Sequence, residues 1–436
     1  MTRCITDRSL GVVLAVCALV LTGSCARADW PQLLGPTRNG ISTETGLARS
    51  WPEGGPRLLW QTTVTDGYSG PAVYQGKVYV TDRVPKQQDL LRCLDLATGK
   101  EEWRYAYDAP GMISQDGSRC TPAVNEKYVF FTGEFGHLTC LDRATHQPVW
   151  TKQLMTEYEG KRAEWGCAQC PVLYKNTVIL APQGNKAGVV ALDQATGAEV
   201  WIADLPGNPG YVSPMLATVE GVDQILAISV PQRGRGPRGG QPTPSTPGVV
   251  LGLDAATGKE LWRFTGFQCQ IPIAAPMPVG DGRFFITGGY GAGCVMIRVT
   301  RQGDTFSASQ VFATQAAGAQ IHMPVLYKGY MYIVSNDNSR ADGLVCMDLD
   351  GNLRWNTRYS PNFERGGIIE ADGMLIVMDG DKGMLRLVDP NPDAYKELAG
   401  AKVIDGKRTW APLVLVDGKL LLRGQAELKC FDLKAQ

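Results

Sequence analysis

The chain lacks an excess of charge of either sign: 43 Lys and Arg face 43 Asp and Glu in 436 residues. A nucleic-acid binder should carry a basic excess or a basic stripe, so that class is excluded. Histidine is scarce, with three in the chain, which leaves little room for histidine-based metal or acid–base chemistry. No H-E-x-x-H, G-x-S-x-G or G-K-[S/T] segment occurs, so zinc-protease, serine-hydrolase and P-loop signatures are absent. No two cysteines are adjacent, and Cys167-Ala168-Gln169-Cys170 is followed by Pro171, so there is no C-x-x-C-H haem attachment site. No apolar run reaches the roughly 20 residues that a membrane-spanning helix needs. No segment sustains a 3.6-residue apolar period, which excludes a helical solenoid. What is abundant is glycine, 51 residues, within a chain that is 44% hydrophobic. That composition excludes disorder for most of the chain and predicts many tight turns, hence many short strands.

The N-terminus reads as an export signal. Arg3 and Arg8 precede the apolar run Leu10 to Leu21, and Ala26-Arg27-Ala28 supplies an A-x-A cleavage pattern. Cleavage after Ala28 predicts a periplasmic or secreted protein with no transmembrane span left. Lipid anchoring at Cys25 is the weaker alternative, because Leu21 sits one position too far from the cysteine. Cleavage removes Cys4, Cys17 and Cys25 and leaves nine of the twelve cysteines. An odd number in an exported chain implies at least one free thiol or an intermolecular bond.

An internal repeat decides the fold. CLDLATGKEEW (Cys93–Trp103), CLDRATHQPVW (Cys140–Trp150), ALDQATGAEVW (Ala191–Trp201) and GLDAATGKELW (Gly252–Trp262) are copies of one element, and CMDLDGNLRW (Cys346–Trp355) is a copy one residue shorter. Glycine accepts the positive φ of a hairpin turn, and the aspartate can accept hydrogen bonds from the turn backbone. A second element precedes each copy: a proline, an apolar pair, a polar turn and a β-branched or aromatic run, as in PAVYQGKVYV (Pro71–Val80) and PVLYKGYMYI (Pro324–Ile333). Joined, the two elements make four strands, in units that begin at Pro71, Pro122, Pro171, Pro214, Pro276, Pro324, Gly367 and Pro412. Units of about 45 residues with four short antiparallel strands are propeller blades. The expected fold is therefore all-β: an eight-bladed propeller over residues 56–436, preceded by an extension over 29–55. The eighth unit ends before its fourth strand. The segment from Pro56 to Val64, with Trp60 in the repeat's tryptophan position, is expected to supply that strand and close the ring. The stretch from Pro231 to Gly248, rich in Pro, Gly and Arg, is expected to be a surface loop.

The Asp-x-x-Thr-Gly-x-x-x-Trp element resembles the tryptophan-docking motif of the pyrroloquinoline-quinone (PQQ) propeller superfamily, and the likeness runs through essentially the whole chain after residue 28. Asp29-Trp30-Pro31-Gln32 through Gly40 is similar to the opening of exported PQQ-like repeat proteins. The resemblance implies that Trp60, Trp103, Trp150, Trp201, Trp262 and Trp355 dock between blades, with Phe312 in the tryptophan position of the fifth. The superfamily includes quinoprotein dehydrogenases, which use PQQ and calcium, and BamB-type outer-membrane assembly lipoproteins. Fold alone does not choose between them. The adjacent cysteine pair of the alcohol dehydrogenases is missing here.

In a propeller the loop leading into each innermost strand faces the mouth of the central channel. Tyr68, Arg119, Gln169, Tyr211, His322, Glu364, Arg365 and Trp410 hold those positions and form a candidate ligand-binding ring. No catalytic residue and no metal ligand is assigned. Cys167 and Cys170 have the spacing of a redox pair or of half a metal site; unpaired packing thiols, a disulfide between them and a shared metal are the readings left open. Cys93, Cys140, Cys346 and Cys430 fill the small-residue position of the repeat and read as core. His137 and His146 read as surface residues of the second unit. The functional expectation is an exported, monomeric binding or scaffold propeller whose mouth or loops meet an envelope protein or a small molecule. The alternative is a PQQ- and calcium-dependent quinoprotein dehydrogenase that oxidises an alcohol or a sugar.

Overall fold

The computed structural model describes residues 28–232, 246–336 and 341–435, together with Met1. The export segment with Cys25, and the arginines of the Pro231–Gly248 loop, lie outside the described residues.

Eight sheets form the molecule, seven of four antiparallel strands and one with a fifth, parallel strand added to its four. Blade one is Ala72–Tyr74, Lys77–Val84, Gln88–Asp95 and Glu101–Asp108, in that order from the inside outward. The first strands of blades two to seven are Ala123–Val124, Val172–Tyr174, Met215–Val219, Met277–Gly280, Val325–Tyr327 and Ile368–Ala371. Blade eight is Val414–Val416, Lys419–Arg423, Glu427–Asp432 and, as its outermost strand, Arg57–Thr63. The N-terminal strand thus closes the ring as expected, pairing Trp60 with Cys430. In six of the eight blades the first hairpin turns on two residues of positive φ, such as Gln75-Gly76 and Asp417-Gly418, the two-residue geometry that matches strand twist.

The aspartate of each complete repeat braces the second turn. Asp193 Oδ1 accepts from the backbone N–H of Ala195 at 3.0 Å and of Thr196 at 2.9 Å, and from the Thr196 hydroxyl at 2.8 Å. Those donors, the hydroxyl foremost, hold its carboxyl below the usual range. Each repeat tryptophan then reaches into the following blade. Trp60 Nε1 donates to Leu96 O at 2.9 Å, Trp150 to Gln194 O at 3.0 Å, Trp201 to Ala255 O at 3.2 Å and Trp355 to Asn391 O at 2.9 Å. The indole lies on the turn glycine of that blade: a Cβ at Gly197 would come within 2.7 Å of Trp150, and one at Gly258 would overlap Trp201. The repeat glycine is therefore required twice, by its positive φ and by the ring above it. Phe312 takes the same place over Gly351.

Burial departs from the sequence reading in part. Trp60, Trp201 and Trp262 are buried, but Trp103, Trp150 and Trp355 are half-buried, although all six stand on outermost strands. Trp262 keeps its N–H within its own blade, on Gln224 Oε1 at 2.7 Å. His146 is a second correction. It stands in the glycine position of the second repeat with φ of 61° and stacks on Trp103 at 4.4 Å, half-buried rather than free on the surface.

The extension has a role that sequence did not reveal. Trp30 bridges Val73 of blade one, Pro31 O accepts from Val124 N of blade two at 2.8 Å, and Arg38 donates to Leu173 O of blade three at 3.1 Å. Ile41–Ser42 then adds a parallel strand inside Ile368–Ala371 of blade seven. Between these anchors Leu34 packs with Met215, Met277 and Met323 of blades four to six. The segment therefore crosses the central channel and seals one end, as its apolar side chains would require to leave water.

Candidate functional site

Above that seal lies a cavity of about 330 Å³, within the range of small-molecule sites. Leu33 and Leu34 form its floor, and the lead-ins to all eight first strands form its wall. Convergence of eight homologous loops on one axis brings together residues that are hundreds of positions apart.

The wall is aromatic and cationic. Tyr68 stacks with Trp410 at 5.7 Å between centroids, and Trp165 with Tyr211 at 5.1 Å. The Arg119 guanidinium lies 4.9 Å from the centre of the Tyr68 ring, and that of Arg365 lies 5.3 Å from Trp410, both within cation–π reach. Arg119 Nη1 meets Glu134 Oε2 at 3.1 Å, and Arg365 Nη1 meets Glu364 Oε2 at 2.6 Å. Arg365 Nε also donates to Gln320. Burial pushes the Glu134 carboxyl up to about 8, against the pull of Arg119. No carboxylate stands among the described residues that line the cavity.

His322 is on the wall and 9% exposed. Burial pulls its imidazole down to about 4, while the backbone carbonyls of Trp410 and Arg365 act the other way. The ring is neutral at pH 7, and its buried Nε2 has no hydrogen-bond partner. Such an atom is costly unless a ligand or water meets it.

Of the ring expected at the mouth, Tyr68, Arg119, Tyr211, His322, Arg365 and Trp410 line the cavity. Gln169 and Glu364 do not. Gln169 turns its carbonyl oxygen to Ala181 N at 3.0 Å, and Glu364 ties Arg365. Cys167 and Cys170 are both free and not bonded to each other. Cys170 meets the neighbouring blade: its Sγ accepts from Thr121 N at 3.2 Å, while the Cys120 thiol donates to Thr121 O at 3.4 Å. Trp165, Tyr290 and Gln320 of the wall escaped the sequence reading, as did the leucine floor. A signal existed for some of them. Trp30, Trp51, Trp165 and Trp410 are the tryptophans outside the repeat position; one anchors the seal, two line the cavity, and Trp51 packs against the apolar core instead.

A family model described as outer membrane protein assembly factor BamB matches residues 51–210 and 246–414. Among curated proteins, the dehydrogenase subunit of the quinone alcohol dehydrogenase of Komagataeibacter europaeus is 29% identical over 171 residues, which are 36% of this chain and 22% of that protein. The quinohemoprotein alcohol dehydrogenase of Comamonas testosteroni is 27% identical over 151 residues, 32% of this chain and 20% of that protein. The matches thus span about a fifth of each relative's length. A europium-containing methanol dehydrogenase superimposes with a TM-score of 0.66 at 14% identity, covering 92% of this chain and 90% of that one. BamB from Moraxella catarrhalis superimposes at 0.56 with 13% identity, covering 86% and 99%. At such identities the superpositions speak to fold alone. The family match extends over most of the chain, and the protein belongs to the BamB-type family of PQQ-like β-propellers.

Proposed function

We propose that the sealed funnel binds a planar, polyanionic aromatic cofactor of the PQQ type, and that the protein is an exported quinone-binding propeller of the oxidoreductase class. The observation that carries this reading is a wall with two guanidiniums, each over an aromatic ring, and no carboxylate. Arg119 and Arg365 would hold ligand carboxylates, and Tyr68, Trp165, Tyr211 and Trp410 would face a flat ring system. Leu33 and Leu34 exclude water from below. A bound quinone supplies two-electron acceptor chemistry, which is the cofactor's own. The likeness to quinone alcohol dehydrogenases supports the class.

Calcium does not fit in the same way. A hard cation asks for several oxygen ligands. Glu134 and Glu364 are paired with arginines, and no metal-ligating cluster occurs among the described residues. No calcium-dependent step is assigned to these residues. Calorimetry with PQQ, with and without Ca²⁺, tests the reading. Micromolar binding that falls by roughly 10- to 100-fold in Arg119→Met and in Arg365→Met supports it, since a charge-assisted bond contributes about 1.5–3 kcal/mol. Absence of binding refutes it. Dye reduction by alcohols or sugars in the loaded protein reports turnover.

A scaffold role for an envelope protein is the second reading, supported by the family match. Outermost strands expose Leu58, Val149, Val200, Ile202, Val311 and Leu353, apolar edges that an extended segment could extend. Co-purification from envelope extracts tests it.

A further inference from the structure

The loop that closes the cavity from below, residues 32–40, is braced as a stopper. Gln32 is 8% exposed and turns its amide inward: Nε2 donates to Gly35 O and to Pro36 O, both at 3.2 Å. Gly40 N donates to Leu34 O at 3.0 Å, and Arg38 N to Gly35 O at 3.2 Å. The Trp30 indole lies on Gly35, where a Cβ would stand 3.0 Å from the ring. These contacts shape the loop from within, while its anchors on blades one, two, three and seven fix where it sits.

Leu34 is the anomaly of this loop. Its φ is 63°, in the left-handed region that glycine takes readily and a residue with a Cβ does not. A strained residue persists only where its surroundings over-determine it, and such residues gather at ligand clamps. Burial is what holds this one. Leu34 is 9% exposed and shares an apolar cluster with Met215, Met277 and Met323. Ala275 and Met323 of that cluster also line the cavity, so apolar surface runs from the floor onto the wall of blades five and six.

The cavity therefore has two chemistries. Arg119 and Arg365 put positive charge on its wall, whereas the side chains of Leu33 and Leu34 offer neither charge nor hydrogen bond. A charged group pressed on that floor would lose water without gaining a partner. An apolar group gains by leaving water there.

We propose that Leu34 is the specificity-determining residue of the cavity: the N-terminal loop sets its depth, and the site admits an anion whose innermost end is apolar and stops at Leu34. The proposal rests on the reading of the funnel as an anion site given above.

The test is calorimetry on the full chain with benzenesulfonate and its para-ethyl, para-butyl, para-hexyl and para-octyl derivatives. The sulfonate is a head for the arginines, and the tail gauges depth. In the wild type, affinity should rise about fourfold for each methylene buried, until the tail meets Leu34 and the rise stops. Leu34→Ala should move that break one member further along the series, and the first tail that the wild type refuses should gain at least about tenfold. Leu34→Gly, which suits the backbone at φ 63°, should do the same and guards against a misfolded alanine variant. Cooperative melts confirm that each variant is folded. A break that stays put in both variants overturns the proposal. A uniform loss across the series overturns it equally, since that is what a packing role alone would give, and so does failure of every sulfonate to bind the wild type. PQQ calorimetry on the wild type decides the cofactor reading separately: a moved break without PQQ affinity leaves Leu34 standing and that reading refuted, and PQQ affinity with an unmoved break does the reverse.

Discussion

The contact between a repeat tryptophan and the next blade's glycine can be measured as a coupling energy. Trp201 is 8% exposed, donates to Ala255 O and covers Gly258, whose φ is 74°. Trp201→Ala should cost about 3–5 kcal/mol through the lost contacts and the cavity left behind. Gly258→Ala carries two costs: about 1–2 kcal/mol for a left-handed alanine and about 1–3 kcal/mol for overpacking the indole. In the double mutant the indole is gone, so only the backbone cost of the alanine remains. The effects should therefore fall short of additivity by about 1–3 kcal/mol. Equilibrium guanidinium melts followed by far-ultraviolet circular dichroism on the four proteins of the cycle measure this. Additivity within about 0.5 kcal/mol would refute the docking contact. A Trp150→Ala loss as large as that of Trp201→Ala would count against the burial difference between the two rings.

Three further outcomes are expected. Deleting residues 29–64 removes both the seal of the channel and the outermost strand of blade eight; light scattering should detect aggregation from the bared edge, and a soluble product with unchanged melting temperature would sink the closure scheme. His322 has a folded value lowered to about 4, below its unfolded value, so the fold prefers the neutral ring. Its contribution is present above about pH 6.5 and is lost as pH falls towards 4, by up to about 3 kcal/mol; His322→Gln should flatten that slope in pH-dependent melts, and an unaltered slope would contradict it. Glu134, pushed up to about 8, is protonated at pH 7 and leaves the Arg119 charge to a ligand. Above pH 8 its carboxylate competes, so PQQ affinity by calorimetry should fall between pH 7 and 9 in the wild type and hold steady in Glu134→Gln; a fall of equal size in both would show that Glu134 is not the cause.

The blade count, the unit starts and the ring closure through Trp60 were all legible in the sequence. The reason is physical: each blade solves the same local problem with an Asp–Thr brace, a positive-φ glycine and an indole that needs a flat seat, so the solution recurs in the letters. The mouth was legible only as far as loop position could take it. Tyr68, Arg119, Tyr211, His322, Arg365 and Trp410 were found because homologous lead-ins converge on one axis, whereas Gln169 and Glu364 were lost to partners nearby that no spacing encodes. The leucine floor, the emptiness of the wall in carboxylates and the meeting of Thr121 with Cys170 depend on three-dimensional closure. Residues 33 and 34 reach blades four to six only after the ring has formed around them, and Cys170 Sγ takes the N–H of Thr121, a residue 49 positions away in sequence. Local chemistry set the units of this protein; the radial packing of those units decided which side chains share a cavity, because a closed ring makes neighbours of residues that the chain keeps apart.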